Sequence, residues 1–272
     1  TVVFLASGKS PKRVAYEKEL LAAILLETSS KWGKTKLVVD ETQKPTLDTW
    51  QTVSDGTNRI LSSSNWEILS QNGFNVSRIP YPVQKGLLGY RKCLVRKDNK
   101  PKLVGIDSTQ KIKNLRIGQG IGWEDSKRYR EHNFRLVTGS RLEVLFPMIA
   151  RGQFDCLALG AVEVEDYVGS NTSYDLEVLE DLTIFYEHQV NFGVSGDNKK
   201  LSSRLQHGFQ NLIANGQFNA IFDKHFGADV EKLNTQTQQV FFLKSHSNLG
   251  NTGLPPLIQN QPVHVLLPKA IP

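Results

Sequence analysis

Short apolar runs alternate along this chain with longer stretches in which apolar residues return every three or four positions. That is the pattern of buried strands interleaved with amphipathic helices. Val2–Ala6 reads as an opening buried strand. Ser10-Pro11 then starts a helix, because serine caps exposed N–H groups and proline suits the first turn. Leu20, Leu21, Ile24 and Leu25 form its apolar stripe, and Gly33 ends it. Lys36–Val39 predicts a second strand, Trp50–Val53 a short helix and Arg59–Ser62 a third strand. Ile79–Val83 brings the chain to the border of a first lobe.

Tyr90–Arg96 alternates as a strand does and is expected to cross between lobes. A second lobe follows, with strands at Leu115–Gly118, Phe134–Val137 and Phe154–Leu159. Helices are predicted between and after them at Glu124–His132, Arg141–Arg151 and Val162–Tyr167. Leu182–Val194 is expected to cross back, and a helix over Leu201–Ala214 to rejoin the first lobe. Met148–Asp155 (MIARGQFD) echoes Leu212–Asn219 (LIANGQFN), each a helix end stopped by glycine with an aromatic after it. Beyond Gly227 the chain is rich in Asn, Gln and Pro, with an apolar patch at Val240–Leu243 and a strand-like Val263–Leu267. This segment reads as a tail wrapped over the first lobe.

Composition and charge narrow the function. The 272 residues carry a net charge of +6. Lys85–Arg135 holds 14 Lys and Arg against 5 acids, whereas Gly152–Asn198 holds ten acids and no Lys or Arg. Charge divided in this way suits docking faces or solvated surfaces of opposite sign better than a phosphate-tracking groove, so no nucleic-acid partner is expected. The longest apolar stretch, Leu20–Leu26, is far shorter than the roughly 20 residues that span a bilayer. Thr1-Val-Val-Phe-Leu already reads as strand, so an exported protein is expected to be in its mature form here. Cys93 and Cys156 lie in apolar strand-like runs and fit either one disulfide or two buried thiols. The histidines show no metal-ligand spacing and no C-x-x-C occurs, so neither metal nor cofactor is expected. Gly118–Gly122 falls short of a dinucleotide loop, since Trp123 stands where its third glycine would be. Gly193–Asp197 misses the nucleophile-elbow pattern at its last position, and no residue is singled out as catalytic.

Four phrases carry the remaining signal: KGLLGYR (Lys85–Arg91), RIGQGIGW (Arg116–Trp123), VTGS (Val137–Ser140) and ARGQFDCLALGAVEVE (Ala150–Glu165). They spell a small parallel sheet with helices across it, whose ligand edge lies where strands run into helix starts. The glycine turn at Gln119, Gly120, Ile121 and Gly122 presents backbone N–H groups at a helix start, an attractive place for an anion or simply a tight turn. Trp123 follows as a platform for a ligand or as core, and Asp125 suits the helix start. Lys85, Tyr90 and Arg91 stand at the presumed hinge, where Arg91 either clamps a carboxylate or pins the crossing strands. Ser7 and Lys9 at the end of the first strand, with Arg13 and Tyr16 on the next helix, form another cleft-facing set.

From about Thr1 to Gly227 these phrases resemble bacterial extracellular solute-binding proteins of family 3, the periplasmic type II class that serves ABC importers. GLLGYR looks like a subgroup of uncertain ligand. The resemblance implies an α/β fold of two lobes, each a small mixed sheet flanked by helices, joined by two crossing strands. Lobe 1 would be residues 1–89 and 190–227, lobe 2 residues 90–189, with 228–272 packed on lobe 1. It implies ligand contacts from hydroxyls near Ser63, Ser64 and Asn65, from the glycine turn and Ser140, and from Glu163 after Gly160 toward a ligand amine. Family receptors follow the serines with an arginine for the α-carboxylate; this chain has Trp66-Glu67-Ile68-Leu69 and no arginine before Arg78.

The expected function is therefore non-enzymatic capture of a small polar, anionic or amino-acid-like solute in a cleft that closes. The protein would be a periplasmic monomer read by a membrane permease. The alternatives are a soluble sensor read by a membrane receptor, and a dehydratase-like enzyme with Glu163 as general acid.

Overall fold

The computed structural model describes residues 1–246 and 261–269, so part of the expected tail, 247–260 and 270–272, lies outside the described residues. In chain order the first elements are β1 (Val2–Leu5), α1 (Pro11–Glu27), α2 (Ser29–Trp32), β2 (Leu37–Asp40), α3 (Thr46–Ser54), β3 (Arg59–Ser63), α4 (Trp66–Gln71) and β4 (Val76–Arg78). Next come β5 (Tyr90–Arg96), α5 (Lys100–Leu103), α6 (Thr109–Lys113), β6 (Arg116–Gly120), α7 (Glu124–Glu131) and β7 (Arg135–Gly139). Then follow α8 (Leu142–Ala150), β8 (Cys156–Gly160), α9 (Val164–Ser170), β9 (Leu176–Phe185) and β10 (Asn191–Ser195). The last are α10 (Lys199–Ala214), α11 (Gln217–Thr235), β11 (Gln239–Leu243) and β12 (Val263–Leu266).

The chain forms two units. The first is Thr1–Gly86 with Gln189–Gly227; the second is Leu87–His188 with the segment from Ala228 onward. In the first unit a five-stranded sheet has the order β2-β1-β3-β10-β4, parallel from β2 to β3 and antiparallel at β10. Ser10 caps α1 by accepting the Arg13 N–H, and Pro11 occupies its first turn, as the sequence predicts. The α1 stripe buries Leu20, Leu21, Ile24 and Leu25, and it buries Glu17 among them.

In the second unit a seven-stranded sheet has the order β12-β11-β9-β5-β8-β6-β7. Tyr90–Arg96 lies within it as the inner strand β5, antiparallel to both β8 and β9. Alternation sorts its side chains: Cys93 and Val95 enter one core cluster and Leu94 the other. Cys93 pairs in register with Ala158, so Cys156, two residues away, shares its face of the sheet. The two cysteines form a disulfide, which decides between the two readings left open above.

The described residues after Gly227 add their strands to the sheet of the second unit, where the sequence led us to expect packing on the first. Helix α11 runs through Gly227 without a break, and β11 lies parallel to β9 of the second unit, with β12 beyond it. The apolar patch is the physical reason. Val240 to Leu243 are all buried, and the outer edge of β9 offers them a backbone ladder and an apolar face together. The two echoed phrases both end helices by a left-handed glycine, Gly152 at φ 70° and Gly216 at φ 82°.

Candidate functional site

In the first unit the ends of β1 and β3 carry the expected polar residues, but those side chains turn inward to the chain itself. The Ser7 hydroxyl donates to the Lys44 carbonyl and accepts the Lys44 N–H, fastening the loop before α3. The Lys9 ammonium donates to the Leu5 carbonyl and stands 5.5 Å from the centre of the Phe4 ring. Tyr16, expected to face a cleft, is fully buried: its hydroxyl donates to the Val83 carbonyl and its ring meets Phe222, His225 and Phe226 edge-on. Burial pushes its pKa far above the ordinary phenol value.

Arg13 is bound one turn along its own helix. Its Nε donates to Glu17 Oε1 at 2.8 Å, and its Nη2 lies 3.4 Å from Ser62 Oγ. Ser62 donates to Glu17 Oε2 at 2.7 Å, and Gln84 Nε2 to Oε1 at 3.3 Å. Ser63 Oγ accepts the Asn65 N–H at 3.1 Å, closing a local turn in which Asn65 is buried, and the Ser64 carbonyl accepts the Trp66 N–H. Lys85 is exposed at φ 49°, with its ammonium 4.3 Å from the centre of the Phe222 ring.

In the second unit Arg91 and Asp125 meet at 2.9 Å between β5 and α7, each less than a tenth exposed. Arg91 Nε also donates to the Tyr186 hydroxyl at 2.9 Å, and Tyr186 in turn donates to Asp125 Oδ1. Burial works against the charge on Arg91, but Asp125 beside it, with smaller help from Tyr186, Tyr129 and Glu163, holds its pKa above the ordinary guanidinium value. Burial likewise works to raise Asp125, and Arg91 holds it below the ordinary carboxylate range. Arg91 therefore pins elements of the second unit together. Asp125 has a partner the sequence did not suggest, beyond its place at the start of α7. Tyr90 is buried with its ring against Phe185, 4.6 Å between centres.

Glu163 is buried just before α9, and Gly160 ends β8. A Cβ on Gly160 would stand 2.7 Å from Glu163 Oε2 and 3.5 Å from Arg91 Nη1, so both charged groups crowd the end of this strand. The glycine turn is bonded internally. The Ile121 N–H donates to the Gly139 carbonyl, while the Trp123 N–H and the Ser126 hydroxyl both donate to the Gly120 carbonyl. Gly120 has no room for a side chain, because a Cβ there would fall 2.2 Å from the Trp123 indole. Gln119 is buried, with Nε2 donating to the Ala158 carbonyl and Oε1 without a protein partner. Ile121, Gly122 and Ser140 are exposed, and Trp123 is half-buried.

The structure thus brings Arg91, Gly160 and Glu163 together in the second unit, next to Asp125 and Tyr186. In the first it joins Arg13 with Ser62, Glu17 and Gln84. Sequence reasoning missed Glu17, Gln84 and Tyr186. Only Glu17 left a signal, a carboxylate inside an apolar helical stripe. A cavity of about 300 Å³ elsewhere in the first unit is lined by Thr1, Trp32, Asn198 and Arg204 among others, and by none of the expected residues. Among the described residues no group of His, Cys, Asp or Glu is placed to hold a metal ion.

No family model matches this chain, and no curated protein matches it. Solved structures do match in fold. The substrate-binding protein of an amino acid ABC transporter is 18% identical, with a TM-score of 0.57 over 83% of this chain and 99% of that one. A periplasmic His/Glu/Gln/Arg/opine family-binding protein from Silicibacter pomeroyi, in complex with lysine, is 15% identical, with a TM-score of 0.58 over 84% of this chain and 98% of that one. An amino acid ABC transporter substrate-binding protein from Streptococcus pneumoniae, bound to L-arginine, is 12% identical, with a TM-score of 0.57 over 83% and 93%. The α/β fold of two units is therefore that of periplasmic substrate-binding proteins.

Proposed function

We propose that this protein binds a small polar solute outside the cytoplasm and delivers it to a membrane permease, without chemical conversion. The observation that carries this reading is coextension: the fold of a complete substrate-binding protein, 99% of its length, is laid over this chain. Two further features support it. Buried polar residues gather at strand ends in both units, where α/β sheets bind ligands. The disulfide fits an oxidising compartment. Solute binding would be coupled to rearrangement only so far as the solute prefers one arrangement of the units over another.

The test is the mass of the natively purified protein against its denatured mass. A small molecule that leaves on denaturation, and raises the melting temperature when added back, is the expected result. Conversion of that molecule to a new species on incubation would overturn the non-enzymatic reading.

A further inference from the structure

The cavity of about 300 Å³ in the first unit lies at the end of its sheet away from the expected site. Strands β2, β1 and β3 run parallel, and Ser7 and Ser63 stand at or just beyond their C-terminal ends. The cavity is walled instead by residues that lead into those strands: Val2 opens β1, Thr35 precedes β2 and Asn58 precedes β3. Asn198, which caps α10, and Lys200 and Arg204 on that helix complete the polar part of the wall. Among the described residues no Asp or Glu lines it.

Arg204 is only 5% exposed, and every partner it has among the described residues is neutral. Its Nε donates to Thr28 Oγ1 at 2.8 Å and its Nη1 to Thr35 Oγ1 at 2.7 Å. Its Nη2 donates to the Leu25 carbonyl at 2.8 Å and the Gly33 carbonyl at 2.9 Å. Leu25 lies in the last turn of α1, where the helix carries roughly half an elementary negative charge, so the guanidinium is offset in part only. Burial pulls its pKa below the ordinary guanidinium value, and no acid acts to raise it. A buried charge is costly until an opposite charge meets it. The donors left over suit such a partner. A guanidinium has five N–H groups, so one on Nη1 remains beyond these bonds. The Thr35 hydroxyl accepts from Arg204 and keeps its own hydrogen to give. Asn58 Oδ1 accepts from Asn198 Nδ2 at 3.1 Å, which leaves the Asn58 amide hydrogens without a protein acceptor among the described residues. Lys200 is exposed and makes no ion pair among them. Asp197, its neighbour in sequence, is exposed and lies outside the wall.

We propose that this cavity is a second binding site, for phosphate or the phosphoryl group of a small metabolite, held by Arg204, Lys200, Thr35 and Asn58. A tetrahedral dianion accepts hydrogen bonds from several directions and matches the two positive charges. The site is independent of the solute-binding reading above. Binding is measured by isothermal titration calorimetry on the full chain, with inorganic phosphate and glycerol 3-phosphate as probes in a low-salt buffer free of phosphate. One of them or both should give saturable heat with a stoichiometry of one. Tighter binding of the ester assigns a phosphorylated metabolite, and tighter binding of inorganic phosphate assigns the free ion. Arg204 fastens three segments of the first unit, so the test variant is Lys200→Glu, at an exposed position where a fold change is not expected. It should weaken binding by about tenfold or more and leave the melting temperature without phosphate unchanged. Lys102→Glu makes the same change of charge on the exposed surface of the second unit and should alter binding less than about twofold. No saturable heat from either probe at about 10 mM, or equal binding by the two variants, overturns the proposal. A solute that co-purifies with the protein should bind both variants as it binds the parent chain, so failure of this site and failure of the solute-binding reading are told apart.

Discussion

The two units each bury an arginine with an acid, but they do so by different routes. In the first, Arg13 and Glu17 are one turn apart on a single helix, and the arginine keeps some contact with water, its side chain 13% exposed. In the second, Arg91 and Asp125 come from a strand and a distant helix, and Tyr186 closes the triangle. The first pair forms as soon as its helix forms. The second exists only when the sheet, α7 and the strand leading to Tyr186 are all in place. A charge pair of the second kind locks tertiary structure, and the same geometry spends a cation that could have met a solute.

Breaking the second pair should therefore have the largest effect. Asp125→Asn leaves the Arg91 charge buried without its carboxylate and should lower unfolding stability by about 3–5 kcal/mol. Denaturant unfolding measures it; a loss under about 1 kcal/mol would mean that Arg91 finds water and that the two units differ less than described. Next comes the disulfide of the second unit. Replacing Cys93 and Cys156 with alanine should cost about 2–4 kcal/mol, with the added hydrogen exchange concentrated in Leu87–His188 if the units are energetically distinct. In the first unit Glu17→Gln should cost only about 1–2 kcal/mol, because Arg13 can turn to water while Ser62 and Gln84 keep an amide partner. A loss equal to that of Asp125→Asn would erase the contrast.

The last effect shows only as pH changes and concerns Lys92, a second buried cation on β5 that, among the described residues, has no carboxylate within ion-pair distance. Its ammonium donates to the Glu180 carbonyl and to Gln238 Oε1, and burial pushes its pKa down to about 8. Its pKa is lower in the folded than in the unfolded chain. Between about pH 8 and 10 the unfolded chain thus holds more protons, and this group adds stability as pH rises. The slope cannot exceed about 1.4 kcal/mol per pH unit. Lys92→Met should remove that rise, as read from unfolding at pH 7, 8, 9 and 10; an unchanged slope would refute the assignment.

The strands and helices were largely legible in the sequence because their signals are local. Ser10-Pro11 announces α1, and the two glycine-stopped phrases mark helix ends that the backbone confirms at Gly152 and Gly216. The docking of the C-terminal segment was not legible, because the partner of Val240–Leu243 is β9, far away in sequence. The phrases located Arg91 and Glu163 at one strand end, but the partners that decide their charge, Asp125 and Tyr186, are brought there by other elements. Glu17 was open to view as a carboxylate among Leu20, Leu21 and Ile24, yet nothing in the sequence says that Ser62 and Gln84 would surround it.

The path of the chain has a consequence for the order in which the protein can be completed. The polypeptide begins in the first unit, passes to the second at Leu87, returns at Gln189 and re-enters the second at Ala228. A growing chain therefore cannot finish the first sheet until β10 and β4 can pair, although β4 was made more than a hundred residues earlier. It cannot cover the outer edge of β9 until β11 has emerged. A nascent chain halted near Gly227 would carry a finished first unit beside a second one with that edge still open. Edges of this kind recruit other strands, and a helper that shields nascent segments would find its most useful moment there.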